Sequence, residues 1–312
     1  MKAEIIITGR GHAGTMATLE TDFTCHKLFE AKDQDAFLKQ HAAAVRGLAT
    51  FGPLRIDGKL MDKLPKLEII SNFGVGVDAI NLDDAKARGI IVTNTPDVLN
   101  ECVADTAIAL VLCTLRKLPQ AEAYTRAGNW AAKGPYPLTT SLGGKTLGIL
   151  GLGRIGEAIA KRAMAMGMKI RYHNRRKKDV SFPYDPDPVS LAKNSDVLMV
   201  VTPGGPETQN LVGAKVLDAV GAQGYVVNIA RGSVIDEPLL LRYLQDKRIA
   251  GAGLDVFVDE PRIPPEFFKL DNAVLFPHVG SATVETRKAM GDLQIENLRL
   301  HFTGKPVATR VV

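Results

Sequence analysis

The sequence predicts an α/β protein built on parallel sheets, and three observations support this prediction. Short apolar runs rich in β-branched residues alternate with helical patterns along the whole chain, as in βαβ units. A glycine-rich turn joins a strand pattern to a helix pattern near the middle of the chain. The length of 312 residues and the apolar content of 46% are sufficient for two packed domains.

Nine segments have the composition of strands. They are Ile5–Thr8, Leu67–Ser71, Ile90–Thr93, Leu147–Leu150, Lys169–Tyr172, Val197–Thr202, Tyr225–Ile229, Gly253–Val256 and Ala273–Phe276. A helix pattern runs from Asn100, a suitable N-cap, to Leu118, and Pro119 is expected to end it. A second long helix pattern, Val284–Phe302, follows the last strand.

The domain organisation follows from the position of the glycine-rich turn. Because this turn lies in the middle of the chain, a separate α/β unit must precede it. We expect the helix at 284–302 to return to that first unit. The predicted domains are therefore residues 1–98 with 284–312, which form a discontinuous substrate-binding domain, and residues 99–283, which bind a dinucleotide.

Residues 147–156 form the glycine-rich turn and its flanks. The strand pattern Leu147–Leu150 runs into Gly151-x-Gly153-x-x-Gly156, and an amphipathic pattern follows from Glu157 to Met166. In a dinucleotide fingerprint, the first glycine makes the tight turn, the second lets the backbone approach the pyrophosphate, and the third lets helix and strand pack closely. The helix N-terminus presents N–H groups to the phosphates. The alternative is a structural glycine turn.

The residues after the second strand of such a unit indicate which dinucleotide is bound. An acidic residue there would hydrogen-bond the ribose 2′-hydroxyl of NAD. Here Asn174, Arg175 and Arg176 follow Lys169–Tyr172, and no acid occurs before Asp179. Guanidinium groups match phosphate oxygens bidentately, so the segment favours NADP(H) over NAD(H). The alternative is a solvated basic loop.

Composition limits the other classes of function. The net charge of +5 is mild and spread along the chain, so neither nucleic acid nor a membrane is expected as a partner. Cys25, Cys102 and Cys113 show no metal-ligand spacing. Cys102 and Cys113 would lie about 16 Å apart on one helix, too far for a disulfide. With no signal peptide expected at residues 1–4 and no apolar stretch long enough for a bilayer, we expect a reduced, cytoplasmic protein.

Three charged residues follow successive strand patterns at the place where open parallel sheets bind their ligands. Arg231, Glu260 and His278 come after the strands at 225–229, 253–256 and 273–276. Each has an ordinary structural alternative: a turn cap, a surface acid and a core histidine. Together they suit the reduction of a 2-keto acid by hydride. Arg231 could hold the carboxylate and polarise the ketone, and His278, with its imidazolium stabilised by Glu260, could protonate the alkoxide.

Several segments in this order resemble the D-isomer-specific 2-hydroxyacid dehydrogenase family over essentially the whole chain. They are residues 72–78 (Asn-Phe-Gly-Val-Gly-Val-Asp), 94–97, the Gly151 fingerprint, 228–232, 253–257, Glu260-Pro261 and 277–280. The narrower likeness is to glyoxylate/hydroxypyruvate reductases, including plant-type hydroxyphenylpyruvate reductases, and is carried by 278–283 and by 128–140. The resemblance implies two Rossmann-like domains.

The resemblance also implies roles for individual residues. It assigns Arg231, Glu260 and His278 as the catalytic set, and the backbone N–H groups of Val75 and Gly76 as the binders of the substrate carboxylate. It suggests that Asp255 contacts the nicotinamide carboxamide. The cofactor-binding residues expected from the fingerprint and the resemblance together are Gly151, Leu152, Gly153, Arg154, Ile155, Gly156, Asn174, Arg175, Arg176, Thr202, Pro203, Ile229, Ala230, Asp255 and Gly280.

The expected activity is NADPH-dependent reduction of glyoxylate or hydroxypyruvate to the D-2-hydroxy acid. Alternatives are a reductase of aromatic or bulkier 2-keto acids and a dinucleotide-sensing binding protein. Family members are usually homodimers, which implies an interface around residues 100–137. Trp130 and Tyr136 are candidates for a residue that reaches the partner's substrate pocket, or for plain interface aromatics. Phe51, Leu54 and Leu99 are candidate pocket residues by the same resemblance, or ordinary core.

Overall fold

A computed structural model describes residues 2–52 and 54–312, and it contains two sheets in which every strand pairing is parallel. This confirms the predicted α/β class. The chain divides into two compact units, residues 1–99 with 283–312 and residues 100–282. The predicted domains include Met1 and Pro53, which lie outside the described residues. No helix in the described part of the chain is long and apolar enough to span a membrane.

The first unit has a five-stranded sheet with the order β2-β1-β3-β4-β5. Its strands are β1 (Glu4–Ile7), β2 (Thr24–Lys27), β3 (Val45–Thr50), β4 (Ile69–Asn72) and β5 (Ile91–Thr93). Its helices are α1 (Ala13–Asp22), α2 (Gln34–His41), α3 (Gly58–Asp62), α4 (Leu82–Ala87) and α12 (Val284–Phe302), numbered in chain order. The C-terminal helix has the predicted bounds, so this unit is discontinuous.

Both faces of the first sheet are covered, as expected for a parallel sheet. Successive isoleucines of β1 belong to opposite sides: Ile6 packs in one cluster of buried residues, and Ile5 and Ile7 pack in the other. Ile295 and Leu298 of α12 complete the second cluster. The alternation of side chains along a strand explains why a run of three isoleucines is needed here.

The second unit has a six-stranded sheet with the order β11-β10-β9-β8-β6-β7. Its strands are β6 (Thr146–Leu150), β7 (Lys169–His173), β8 (Val197–Val200), β9 (Tyr225–Asn228), β10 (Gly251–Leu254) and β11 (Ala273–Leu275). Its helices are α5 (Asn100–Arg116), α6 (Leu118–Arg126), α7 (Asn129–Lys133), α8 (Arg154–Ala165), α9 (Pro188–Lys193), α10 (Ala214–Val220) and α11 (Glu237–Gln245). The strand order reverses between β6 and β8, which is where such sheets bind ligands.

Two features of the chain differ from the sequence prediction. All nine predicted strands are present within a few residues, but β2 and β3 were not predicted. The prediction that Pro119 ends the long helix is wrong. That helix ends at Arg116, Lys117 is left-handed with φ 48°, and Pro119 lies in the first turn of α6. A proline is tolerated there because the first-turn N–H groups have no helical acceptor.

Candidate active site

The three charged residues identified from the sequence follow neighbouring strands of the second unit. Arg231 comes three residues after β9, Glu260 follows β10, and His278 comes three residues after β11. Because β9, β10 and β11 are adjacent and parallel, their carboxyl ends meet at one edge of the sheet. The topology therefore brings these side chains to one place, although they are far apart in the sequence.

His278 and Glu260 are in direct contact. Nδ1 of His278 lies 2.6 Å from Oε2 of Glu260, and Oε1 of Glu260 accepts the N–H of Phe257 at 3.0 Å. The side chain of His278 is 45% exposed, whereas that of Glu260 is 33% exposed. With Nδ1 directed to the carboxylate, Nε2 is left as the second nitrogen that can carry a proton.

The carboxylate of Glu260 is stabilised in its ionised form. Burial by itself would raise its pKa. The hydrogen bonds from His278 and Phe257, with the positive charges of His278 and Arg231, outweigh burial and lower the pKa below its usual value. Glu260 is therefore a permanent acceptor at neutral pH, and the charge of Arg231 acts on the same pair.

The backbone around Arg231 is fixed by neighbouring polar groups. The side chain of Asn228 accepts the N–H of Ala230 at 3.0 Å and donates to the carbonyl of Arg231 at 2.9 Å. Gly232 follows, and a Cβ on it would lie 2.0 Å from the carbonyl carbon of Phe257. Only a glycine allows this approach, which holds the loop after β9 directly against the loop that leads to Glu260.

A buried carboxylate links the same two loops. Glu237, the first residue of α11, is 9% exposed, and its Oε2 accepts the N–H of Val258 at 3.0 Å. Burial raises the pKa of Glu237, the Val258 N–H lowers it, and the charges of Asp259 and Glu260 raise it further. Glu237 thus fixes the backbone two residues before Glu260.

Asp255 holds the turn that carries His278. Its side-chain oxygens accept the N–H groups of Val279 at 2.7 Å and Gly280 at 2.8 Å, and its backbone carbonyl accepts the N–H of His278 at 2.9 Å. His278 itself has a left-handed backbone, φ 55°, which few residues other than glycine adopt. Burial raises the pKa of Asp255, against the effect of these N–H groups and of His278. The structure therefore gives Asp255 a role in orienting His278.

The glycine fingerprint adopts the local structure that the sequence predicts. Gly151 has φ 102°, and a Cβ there would lie 2.8 Å from the backbone nitrogen of Thr202. A Cβ on Gly156 would lie 2.8 Å from the carbonyl oxygen of Gly151, so helix and strand pack closely. A Cβ on Gly153 would meet nothing within 4 Å. Open space thus lies beside Gly153, directly before the N-terminus of α8.

The loop after β7 contains the residues expected to select the cofactor. Asn174 pairs with the fingerprint loop: its Oδ1 accepts the N–H of Leu152 at 2.6 Å, and its Nδ2 donates to the carbonyl of Leu152 at 3.1 Å. Arg175 and Arg176 are both exposed, and the guanidinium group of Arg175 forms an ion pair with Glu207. The amide therefore braces the turn, while the guanidinium groups face solvent.

The other expected cofactor residues lie on the same unit. Arg154 and Ile155 begin α8, Thr202-Pro203 follow β8, Ile229-Ala230 follow β9, and Gly280 belongs to the turn held by Asp255. Ile229 and Ala230 are 8% and 7% exposed. These segments all follow carboxyl ends of strands in one sheet, as the topological rule for such ligands requires.

The first unit contains the two residues expected to bind a carboxylate. Val75 and Gly76 lie in the half-buried loop after β4. Phe51 and Leu99 are buried, and Leu54 packs against the buried cluster of this unit, which agrees with the alternative of ordinary core.

Trp130 lies on α7 of the second unit and is 65% exposed, and Tyr136 makes an edge-to-face contact with Tyr124 at 5.3 Å between ring centroids.

Two residues of this site were not predicted as functional: Asn228 and Glu237. Asn228 has a signal in the sequence, since it is the lone amide at the end of an apolar strand, and the structure buries it at 1% exposure. Glu237 has none, because an acid in the first turn of a helix is usually placed in solvent.

Similar proteins have the same fold and sequence patterns. Residues 108–280 match the sequence profile of the D-isomer specific 2-hydroxyacid dehydrogenase, NAD binding domain. Glyoxylate/hydroxypyruvate reductase A of Arabidopsis thaliana is 47% identical, and hydroxyphenylpyruvate reductase of Plectranthus scutellarioides is 46% identical. Each alignment spans 295 residues and covers 94% of this chain and 94% of the relative.

A solved structure agrees with the sequence relatives. The NADPH-dependent glyoxylate/hydroxypyruvate reductase of Sinorhizobium meliloti, in complex with NADP and malonate, matches with a TM-score of 0.93 and 43% identity. The match covers 100% of this chain and 97% of that chain. Since the likeness spans the fingerprint, the strand ends and the discontinuous first unit alike, this chain belongs to the D-isomer-specific 2-hydroxyacid dehydrogenase family.

Proposed function

We propose that this protein uses NADPH to reduce a small 2-keto acid, glyoxylate or hydroxypyruvate, to the D-2-hydroxy acid. One observation carries the proposal: the imidazole of His278 is hydrogen-bonded to the ionised Glu260, within the field of Arg231. This group of residues lies at the edge of the sheet that also bears the dinucleotide fingerprint. A proton donor and a cation are the two things that ketone reduction by hydride requires of the protein.

His278 acts as the general acid in this proposal. Its Nδ1–H donates to Glu260, which fixes the ring orientation. Nε2 then gives its proton to the substrate oxygen as the carbonyl carbon gains hydride, and the ring is left neutral with Nδ1–H still bound to Glu260. The charge of Arg231 stabilises the negative charge that develops on the substrate. The N–H groups of Val75 and Gly76 bind the carboxylate.

The residues of the second unit fit a dinucleotide. The open space beside Gly153 would be filled by any other side chain, and the N-terminus of α8 provides N–H groups for a pyrophosphate. When bound, the nicotinamide supplies the hydride. Arg175 and Arg176, exposed at the end of β7, are the residues proposed to bind a 2′-phosphate. The NADP complex of the Sinorhizobium enzyme supports this choice.

The selection of NADPH is tested by replacing both arginines. Arg175→Gln with Arg176→Gln is expected to raise the Kd of NADPH by about tenfold to a hundredfold, the effect of losing charged hydrogen bonds to phosphate. The Kd of NADH should remain close to that of the wild type. Equal weakening of both cofactors would assign the loop a structural role only.

The reaction is tested by following NADPH oxidation at 340 nm with glyoxylate, hydroxypyruvate and hydroxyphenylpyruvate. We expect turnover of the two small acids, and His278→Gln should lower kcat by about 10²- to 10⁴-fold with NADPH binding retained. Near-normal kcat in this variant would remove His278 from the mechanism. Binding of NADPH with no turnover of any 2-keto acid would instead favour a dinucleotide-sensing protein.

An aromatic 2-keto acid is the second candidate substrate. The observation in its favour is the 46% identity to hydroxyphenylpyruvate reductase, nearly equal to the identity to the glyoxylate/hydroxypyruvate reductase. The ratio of kcat/KM for hydroxypyruvate over hydroxyphenylpyruvate decides between them. A ratio below one would replace the small acids with the aromatic substrate.

The proposed enzyme is a homodimer. Neither α6 nor α7 contains a buried residue, and Leu118, Trp130 and Leu138 are 43%, 65% and 102% exposed along this segment. Exposed apolar side chains at this density are typical of an interface between protein chains. Sedimentation velocity should give the mass of a dimer, and a monomer at micromolar concentration would contradict the proposal.

A further inference from the structure

Two side-chain amides bind the carbonyl groups of the loop after β4 in the first unit. Nδ2 of Asn72 donates to two carbonyl oxygens of the loop, that of Gly74 at 3.1 Å and that of Gly76 at 2.9 Å. Nδ2 of Asn94 donates to the carbonyl oxygen between them, that of Val75, at 2.9 Å. Three consecutive carbonyl groups are therefore all bound by two asparagines.

Both asparagines are themselves held in place, Asn72 by its side chain and Asn94 by its backbone. Oδ1 of Asn72 accepts the hydroxyl of Thr50 at 2.8 Å, so its Nδ2 must face the loop. The backbone of Asn94 pairs with Thr309, which donates its hydroxyl to the Asn94 carbonyl at 2.6 Å and accepts the Asn94 N–H at 3.3 Å. The two amides are thus supported by β3 and by the C-terminal segment of the unit.

Gly74, the first residue of the loop, is tied down at both backbone groups. Its N–H donates to the hydroxyl of Thr95 at 3.0 Å, and its carbonyl accepts the N–H of Thr95 at 3.0 Å. Gly74 has φ 143°, a conformation that a side chain would strain. The loop therefore starts from a fixed point.

Holding these carbonyls has a direct consequence for the N–H groups. In a planar trans peptide, the N–H of one residue points opposite to the C=O of the residue before it. Since the carbonyls of Gly74, Val75 and Gly76 point to the asparagines, the N–H groups of Val75, Gly76 and Val77 point away from them. Within residues 2–52 and 54–312, the structure assigns these three N–H groups no hydrogen bond.

We infer that Asn72 and Asn94 are positioning residues that align the N–H groups of Val75, Gly76 and Val77 into one anion-binding array. Successive N–H groups on one side of a loop form the concave nest that binds carboxylates and phosphates. The inference deepens the proposed function and rests on it, because the ligand of the array is the carboxylate of the 2-keto acid. It adds Val77 as a third donor and gives the asparagines a role in substrate affinity.

The test compares Asn72→Ala and Asn94→Ala in the full-length protein with NADPH bound. Asn272→Ala is the matched control, because its Nδ2 donates to the carbonyl of Leu244 at 3.1 Å in the second unit. The measured quantities are kcat and KM for hydroxypyruvate, the Kd of NADPH, and the Ki of oxamate, an unreactive mimic of a 2-keto acid. Oxamate binding is also titrated calorimetrically, so that one readout does not require turnover.

Both array variants should raise the KM for hydroxypyruvate and the Ki of oxamate by about tenfold or more, since misaligned N–H groups lose affinity for the carboxylate. The Kd of NADPH should stay within about twofold of the wild type, and Asn272→Ala should change none of these constants. Values of KM and Ki within about twofold of that control would overturn the inference.

Two outcomes keep the inference separate from the proposed function. If Asn72→Ala, which removes two hydrogen bonds, does not fold, Asn94→Ala decides alone. If the wild type binds NADPH and oxamate without reducing any 2-keto acid, the proposed function fails. The calorimetric comparison then still supports or overturns the role of the asparagines.

Discussion

The five strands of the first unit have the same order as the first five of the six strands of the second unit, and each unit has a Gly-x-Gly-x-x-Gly sequence after its first strand. In the second unit this is Gly151–Gly156, after β6, and in the first unit it is Gly9–Gly14, after β1. Both sequences lie where the strand order reverses, between the first and third strands of the unit. By motif and topology alone, both would be assigned to a dinucleotide.

The two turns differ in the space that surrounds their glycines. A Cβ on Gly11 would lie 2.5 Å from the ring of Phe51, and a Cβ on Gly9 would lie 2.5 Å from the carbonyl oxygen of Phe51. A Cβ on Gly153 would meet nothing within 4 Å. In the first unit the glycines make room for a buried phenylalanine of the protein itself. The motif therefore indicates that another group lies close to the backbone of the turn. Only the structure shows whether that place is filled by a side chain of the protein or is open to a ligand.

The largest expected effect comes from removing that phenylalanine. Phe51 is 4% exposed and packs on Phe73 at 4.9 Å between ring centroids. Phe51→Ala should lower the free energy of unfolding by about 3–5 kcal/mol, measured by urea denaturation. The Kd of NADPH should not change. Phe267→Ala, at an equally buried position in the second unit, is the control for a loss of this size. Altered NADPH affinity in Phe51→Ala alone would contradict the contrast between the turns.

Adding a methyl group to each turn should have different effects on stability and on NADPH affinity in the two units. Gly11→Ala forces a Cβ against the Phe51 ring and should cost about 1–3 kcal/mol of stability with no change in NADPH affinity. Gly153→Ala should cost at most about 1 kcal/mol of stability, because the site is open and lies at a helix N-cap.

The same substitution at Gly153 should weaken NADPH binding by at least about tenfold, since the methyl group takes the place of the pyrophosphate. Thermal unfolding and fluorescence titration of both variants measure the two effects. If both variants lost stability equally and bound NADPH equally, the open space beside Gly153 would have no role in binding.

A smaller effect concerns the second strand of each sheet, β2 or β7. In β7, Arg171 forms two hydrogen bonds to the buried Asp185. Burial would raise the pKa of Asp185, but the bonds from Arg171, Asn194 and Ser190 lower it overall. Stability from this carboxylate is therefore complete above its ordinary pKa of 3.8 and is lost only as the pH falls through the lowered value.

In β2, His26 stacks on His41 at 3.8 Å between ring centroids. Burial and the charge of His26 lower the pKa of His41 from 6.5, against the opposing charge of Glu4. The folded state thus favours neutral His41, so its contribution to stability is complete above pH 6.5 and is lost as the pH falls through the lowered pKa. As the pH falls, the first unit should therefore lose stability at a higher pH than the second unit.

Hydrogen–deuterium exchange, corrected for intrinsic rates, measures this order. Between pH 7.5 and 5.5, peptides of residues 24–41 should lose protection, while those of residues 169–194 keep it. His41→Phe retains a ring for stacking and should remove the change. If residues 169–194 lost protection at a higher pH than residues 24–41, the direction of the pKa shift of His41 or of Asp185 would be wrong.

The fold class was predictable because most strands are short apolar runs, and those runs are what the sequence displays. The two strands that were not predicted lack this signature. The strand β2, Thr-Cys-His-Lys, is a polar edge strand with no buried residue, and β3 combines Arg46 with the small residues Gly47 and Ala49. Their pairing with β1 is a tertiary contact that local composition does not show.

The candidate site was predictable from the sequence only where charged residues directly follow strands of the parallel sheet. The contact of His278 with Glu260 follows from the rule that parallel strands end at one edge, applied to two charged residues. The amides of Asn72 and Asn94 were not predicted as functional, because a single asparagine at or just after the end of a strand has no period or charge to distinguish it. The amide of Asn228 was not predicted either, although it is the one polar side chain that ends an otherwise apolar strand. Their roles depend on which backbone carbonyl they reach.

The discontinuity of the first unit sets an order on folding during synthesis. The second unit is one continuous stretch, residues 100–282, whereas the first unit needs α12, whose Gln294 donates to the carbonyls of Thr50 and Ser71. Strands β1–β5 therefore leave the ribosome with one face of their sheet covered only in part, by α1. The rest of that face stays uncovered while the entire second unit is translated, roughly 10–40 s. Chaperones that shield apolar surface should bind nascent chains of this protein mainly through residues 1–99, and release should follow the emergence of α12.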